Sequence, residues 1–316
     1  MESGFLSDVD ISQVLNKDIV ICGYCEKNLT DIGYNLTPTE FVFSTNKGML
    51  VPIYNSGNQK FCWVDPNDTV LILTREAVWV SEAISGTFHS KVKLVSQGFG
   101  HISTTLDALW EGPLLISLNN PTKRKIRFVI GEDKGNGFEY CSFVTLIFYR
   151  MVTPTNKKHD NPPCRIDILK DSVRVPRRWF PGIKLEQYLK LNNIVNKIRD
   201  FEDIVVDIGK SEKDTNERGE KIKEFKSKYL HFEKQLSFNI DEAHEINKNI
   251  IYSIIVKKYI FNTLVALCVI GLLGSAGYAV KNSQSNILSL IAIITTIFIW
   301  GVNRLYNLFG FENWRR

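Results

Sequence analysis

The stretch GTFHSKVKLVSQGFGHISTTLDALWEGPLLISLNN, residues 86–120, decides how the first half of this chain is read. Apolar runs such as LLISL (114–118) stand between glycine-marked breaks, with Gly98, Gly100 and Gly112 placed as tight turns between strands. The same cadence extends to both sides. FVFST, KFCWV, TVLILT, AVWVS, KIRFVI and CSFVTLIFY are rich in Val, Ile, Phe and Thr, and Gly, Pro, Asn and Asp bound them. So many short strands predict a closed or sandwiched all-β fold over residues 1–175. Only DISQVLNK, near the start, reads as helix.

Composition sets the frame. At 316 residues the chain is about two domains long, and 44% apolar with 23% charged residues excludes wholesale disorder. A net charge of +5 decides nothing about nucleic acid, and no Lys/Arg-dense arm of the kind that tracks phosphates stands out. Six cysteines, at 22, 25, 62, 141, 164 and 268, show no disulfide-framework spacing, which suits a reducing compartment. Cys22-Gly-Tyr-Cys25 has metal-ligand spacing, but no second pair or histidines accompany it, so idle thiols are expected and no metal site. The opening MESGFLSDVDISQ lacks the basic segment and apolar core of a signal peptide.

The C-terminal end has a different character. YIFNTLVALCVIGLLGSAGYAV, from Tyr259 to Val280, carries no charge and makes about 33 Å of helix, enough to cross a hydrocarbon core. After the polar KNSQSN a second uncharged run extends from Ile287 to Asn303. So short a loop predicts an antiparallel transmembrane hairpin over residues 259–309. Lys257 and Lys258 before it, and Arg304, Arg315 and Arg316 at or after its end, outnumber the single Lys281 of the loop. Both termini are therefore expected on the cytoplasmic side of a bacterial inner membrane. Gly271, Ser275 and Ala279 form a small-residue stripe suited to close helix packing.

Residues 183–250 read as helix. Leu191, Ile194, Ile198, Phe201, Val205 and Ile208 alternate in steps of three and four. Ile222, Phe225, Tyr229, Phe232 and Leu236 repeat the spacing after a polar break, GKSEKDTNERGEK. Each run is too short for a strong isolated coiled coil, so helices that pack between subunits or fold back are expected over a free-standing stalk.

Several stretches in the first half share an order with a known family. LSDVDISQVLNKDIVI followed by IGYNLTPTEFVF, then DPNDTVLILTREAVWVSEAISGTFHSK, then TTLDALWEGPLLISLNN resemble successive motifs of the dCTP deaminase and dUTPase superfamily. The resemblance covers some 150 residues. It implies a β-rich, jelly-roll-type fold, a homo-oligomer (a trimer or higher), nucleotide sites between subunits, and magnesium held through the triphosphate if the site works.

Departures from the family pattern fall on the chemistry. Where the family carries Arg-Ser-Ser, this chain has His89, Ser90 and Lys91, which lack the planar two-pronged donor of a guanidinium. Ser90 and Lys91 are the remaining phosphate contacts that the resemblance implies, with His89 beside them and Trp110 as a core residue or a base-stacking ring. Asp107 stands where dUTPases keep the aspartate that activates water. Ser117 replaces the glutamate of the deaminases, Asn35 the usual aspartate, and Cys141 lies near the place of a glutamine. A hydroxyl without a base cannot shuttle protons at a pyrimidine ring. A zinc deaminase is excluded too, since the chain has no His-x-Glu with Pro-Cys-x-x-Cys.

The architecture, a cytoplasmic head joined to two membrane helices, is similar to that of the toxic effectors of bacterial antiphage defence. The expected function is a membrane effector whose degenerate head senses a nucleotide, nucleic acid or protein partner, and whose helices disrupt the lipid bilayer on oligomerisation. The alternative is a membrane-tethered dNTP or dUTP pyrophosphatase with Asp107 as base.

Overall fold

The fold comes from a computed structural model that describes residues 3–157, 165, 167–168, 215–281, 294–296 and 298–302. Of these, residues up to 247 form one compact unit and those from 248 onward a second.

The first unit is built on three antiparallel sheets. One contains β1 (Gly4–Phe5), β3 (Leu29–Thr30), β4 (Gly33–Leu36), β10 (Ile84–Ser90), β11 (Ser103–Leu106) and β15 (Val144–Arg150), in the order β11-β10-β15-β4-β3 with β1 also on β15. The second contains β2 (Ile19–Cys22), β5 (Pro38–Ser44), β6 (Met49–Leu50), β9 (Asp68–Val80) and β12 (Glu111–Asn120). The third has the order β14-β13-β8-β7, from β14 (Phe138–Tyr140), β13 (Ile126–Asp133), β8 (Gln59–Val64) and β7 (Ile53–Ser56). The inward side chains of all three, including Leu36, Val42, Val64, Ile72, Phe128 and Phe148, merge in one core. Helix α1 (Asp8–Val14) closes one end with Ile11 and Val14 buried. Ser7 and Asp10 form a reciprocal capping box at its start.

The β-rich first half and the helix at DISQVLNK follow the sequence reading, with two differences. TVLILT and AVWVS, read as separate strands, are one 13-residue strand, β9. Its register slips on β12 around Thr74–Glu76, where Pro113 and Leu115 face Ala77 and Leu73, and on β5 between Ile72 and Thr74, whose partners are Val42 and Pro38. The polar Thr74-Arg75-Glu76 between those two runs is thus a bulge inside a strand. A second helix, α2 (Val92–Gln97), was not foreseen. Its six residues bury only Leu94 and it ends on Gly98 at φ +107, so it carries too little periodicity to read from the sequence.

Helix α3 (Thr215–Lys281) follows. It begins inside the expected polar break, whose Glu, Arg and Lys are good helix formers. Its portion within the first unit lies on the β-domain. Ile222, Tyr229 and Ile240 are buried, and at 100° per residue they share one face. Four residues after each stands a polar tie. Lys226 donates to Asn16 Oδ1 (2.5 Å), Arg75 donates to Glu233 Oε1 (3.2 Å), and the His244 ring lies 2.9 Å from the Glu40 carbonyl. The expected repeat Leu191–Ile208 lies outside the described residues.

In the second unit, Tyr259–Tyr278 makes twenty residues of α3 with a mean hydropathy of 2.0 and no burial. It is the one helix among the described residues long and apolar enough to cross a membrane. Residues 294–296 and 298–302 are also helical. They face α3 across a cavity of about 370 Å³ lined by Val265, Val269, Leu272, Phe298, Ile299 and Val302. Gly271 and Ser275 are exposed on α3, and a Cβ at Gly271 would meet nothing within 4 Å. The side chain of Ala279, like residues 282–293 of the expected loop and second run, lies outside the described residues.

Candidate functional site

Strand β10 carries the residues at the Arg-Ser-Ser place. It is paired on both sides, so alternate side chains point into the core and outward. Phe88 is buried and His89 is exposed, with its ring nitrogen 3.0 Å from Thr87 Oγ1. Ser90 ends the strand. Its hydroxyl accepts from the Ile102 backbone N–H, which ties the return from α2 to the end of β10.

Lys91 caps α2 and turns back over the sheet. Its Nζ donates to Asn35 Oδ1 at 2.5 Å, and the same oxygen accepts from Thr145 Oγ1 at 2.9 Å. Asn35 and Thr145 face each other across β4 and β15. Partial burial of Lys91 disfavours its charged form and holds its pKa below the usual lysine range. Three residues from separate parts of the chain thus converge, and none is a carboxylate. The group can hold an anion or a polar ligand.

Asp107 and Trp110 lie elsewhere. Gly86 pairs with Leu106 and His89 with Ser103, so Asp107 leaves the opposite end of this ladder, about 10 Å along it. Asp107 is half-buried at the head of a turn in which the Trp110 N–H donates to its carbonyl (3.2 Å) and Leu109 adopts φ +61. Its carboxylate acts electrostatically on Arg165. Trp110 is 5% exposed and its indole N–H donates to the Gly112 carbonyl at 3.3 Å. Stacking on a base needs an open ring face, and Trp110 is packed in the core instead. Within one chain, then, Ser90, Lys91 and Asn35 come together, and Asp107 stays apart from them.

Ser117 is exposed on β12, where it pairs with Leu71. Among the described residues no three His, Cys, Asp or Glu side chains converge as a metal site. Cys22 is buried in β2, and desolvation pushes its thiol up to about 12.

One polar group escaped sequence reading. Glu76, at the β9 bulge, is 2% exposed; its carboxylate accepts from Thr37 N (2.9 Å) and Thr37 Oγ1 (2.7 Å). Burial raises its pKa to about 7, against the lowering effect of those two hydrogen bonds. A glutamate inside a strand this apolar was the available signal.

No family model matches the chain. It is similar to the dCTP deaminase of Pyrococcus horikoshii, at 25% identity over 140 residues, 44% of this chain and 81% of that protein. The dCTP deaminase of Pyrococcus furiosus is 24% identical over 145 residues, 46% of this chain and 84% of the relative. Among solved structures, the 2′-deoxycytidine 5′-triphosphate deaminase of Agrobacterium tumefaciens aligns with a TM-score of 0.36 at 9% identity. That alignment covers 48% of this chain and 49% of the Agrobacterium chain, so this chain spans about half its length. Native EIAV dUTPase aligns with a TM-score of 0.26 at 18% identity, over 40% of this chain and 92% of its own. The N-terminal domain is β-rich and similar to dCTP deaminases, and helices follow it.

Proposed function

We propose that this chain is a membrane-anchored bacterial effector, of the kind used in antiphage defence, in which a deaminase-type head has become a receptor. The observation that carries the reading is the exposed apolar helix Tyr259–Tyr278 on the same chain as that head. Leu267, Ile270, Leu273 and Tyr278 are all more than half exposed there, and in water such a surface demands a lipid or protein cover. The helical residues 294–296 and 298–302 belong to the returning half of a two-span hairpin, with both termini in the cytoplasm. Two spans conduct poorly alone, so several copies assemble, and a homo-oligomer of heads gathers them. The trigger is a nucleotide, nucleic acid or protein recognised by the head.

Expression in bacteria with a membrane-potential dye tests this reading. The full chain, when triggered or overproduced, collapses the potential and stops growth, and deletion of residues 259–316 abolishes both. Harmless expression in both forms would make the chain an inert anchor.

Half-burial of Asp107 supports a second reading, a tethered dNTP pyrophosphatase. Magnesium would ride on the triphosphate, held through Ser90 and Lys91, since the described residues supply no ligand cluster of their own. In that reading Asp107 orients and deprotonates the attacking water. Because Asp107 and Lys91 are apart in one chain, the site is completed between subunits. Pyrophosphate release across a dNTP panel, lost in Asp107→Asn, distinguishes the two.

A further inference from the structure

The third sheet presents an outer face that the group of Asn35, Ser90 and Lys91 does not use. Tyr54 on β7, Phe61 and Trp63 on β8, and Arg127 on β13 lie on it, with Tyr54 opposite Phe61 and Trp63 opposite Arg127. Ring centroids are 5.8 Å apart for Tyr54–Phe61 and 6.0 Å for Phe61–Trp63. The Arg127 guanidinium lies 3.7 Å from the Phe61 ring centre, and its buried Nε has no hydrogen-bond partner among the described residues. Phe61 is covered, whereas Tyr54 is 47% and Trp63 41% exposed. Large aromatic rings left open on a sheet face are not explained by packing.

Beside them is a basic turn held rigid by one asparagine. Asn120 is fully buried; its Nδ2 donates to the carbonyls of Val64 (3.0 Å), Asp65 (2.9 Å) and Arg124 (2.9 Å), and its Oδ1 accepts from Thr122 N (3.0 Å) and Oγ1 (2.7 Å). These bonds fix Lys123-Arg124-Lys125 next to the end of β8, one residue past Trp63. Asp65 is neutralised by Lys47 and by Lys125 at 3.1 Å. Lys123 and Arg124 remain exposed. The acidic Glu132 and Asp133 lie at the other end of β13. Positive charge and the open Trp63 ring therefore coincide at one end of the sheet, with Tyr54 midway along it.

We propose that this face binds single-stranded nucleic acid, with bases stacked on Tyr54, Trp63 and the Arg127 plane and phosphates on Lys123 and Arg124. Every base has a π-face, so such a platform needs no sequence-specific contacts. Rings spread over adjacent strands suit successive bases better than they suit lipid, which is met by protruding tips. A second copy of the same face would bring like charge towards like charge. The binding itself does not depend on the effector reading; it supplies that reading with its trigger.

The test uses the full chain in uncharged detergent and fluorescence anisotropy of a labelled single strand of about 12 nucleotides. The expected result is binding that Trp63→Ala weakens about tenfold or more, while a duplex of equal length binds far less. Lys123→Ala with Arg124→Ala weakens it as well and flattens the log–log salt slope by about 0.7 per cation removed. Both sites are exposed, so unfolding midpoints stay unchanged and exclude misfolding as the cause. No binding at low salt, equal binding of duplex, or indifference to Trp63→Ala overturns the proposal. Anionic vesicles bound in place of the strand would assign the face to lipid, and Trp63-dependent self-association would assign it to a second copy. Either outcome leaves the membrane-potential experiment standing as a separate test.

Discussion

Lys91 Nζ sits 2.5 Å from Asn35 Oδ1, joining the start of α2 to the middle of β4. The cation that would meet a phosphate is occupied by the residue that stands at the family's usual aspartate. In Asn35→Leu the half-buried ammonium loses its acceptor, at a cost of about 1–2 kcal/mol. Lys91→Met with Asn35→Leu removes both partners and costs less than the two single changes summed. Urea unfolding of the four proteins measures the difference.

Glu76 makes stability fall as pH rises. Its pKa is raised from 4.5 to about 7, so between those values the folded state binds more protons than the unfolded one. The stabilisation is complete below about pH 4.5 and is lost as pH approaches 7. The change is on the order of 3 kcal/mol at most. Glu76→Gln keeps an acceptor for Thr37 N and flattens the profile. Thermal midpoints of both proteins from pH 5 to 7.5 check this, and parallel profiles would contradict it.

Gly86 allows β10 and β15 to approach. A Cβ there would stand 2.7 Å from the Ile147 carbonyl oxygen, in backbone that cannot turn aside. Gly86→Ala should cost about 3 kcal/mol or more, read as a lowered unfolding midpoint or loss of soluble head.

Along α3, burial and charge contribute unequally. Tyr229 is buried against the β-domain, while Arg75 and Glu233 are each about a third exposed. Tyr229→Ala should destabilise the docked helix by about 3 kcal/mol. Glu233→Ala should change it by less than about 1 kcal/mol. Limited proteolysis of residues 215–247 ranks the two.

Strands β5, β8, β9, β12, β13 and β15 were legible because each carries a dense apolar run, and α1 because of its period. The β9 bulge was not, since Thr74-Arg75-Glu76 is polar for a tertiary reason: Glu76 turns inward to Thr37. The docked α3 face was visible as a stripe at Ile222 and Tyr229, but periodicity cannot say whether the partner is a sheet or another helix. At the candidate site the residue types were legible and their placement was not. Nothing in the spacing of Asn35, Lys91 and Thr145 says that β4, α2 and β15 bring them together. KRKIR at 123–127 was in plain view, but only β8 beside it and the buried Asn120 make it more than a solvated turn.

The most direct test of the account is flotation of the full chain after alkaline extraction of the expressing cells' membranes. The protein should rise with the lipid, and the chain truncated before Tyr259 should stay below. A full-length chain that remains in the aqueous layer as a dispersed particle would contradict the membrane anchor on which the proposed function rests.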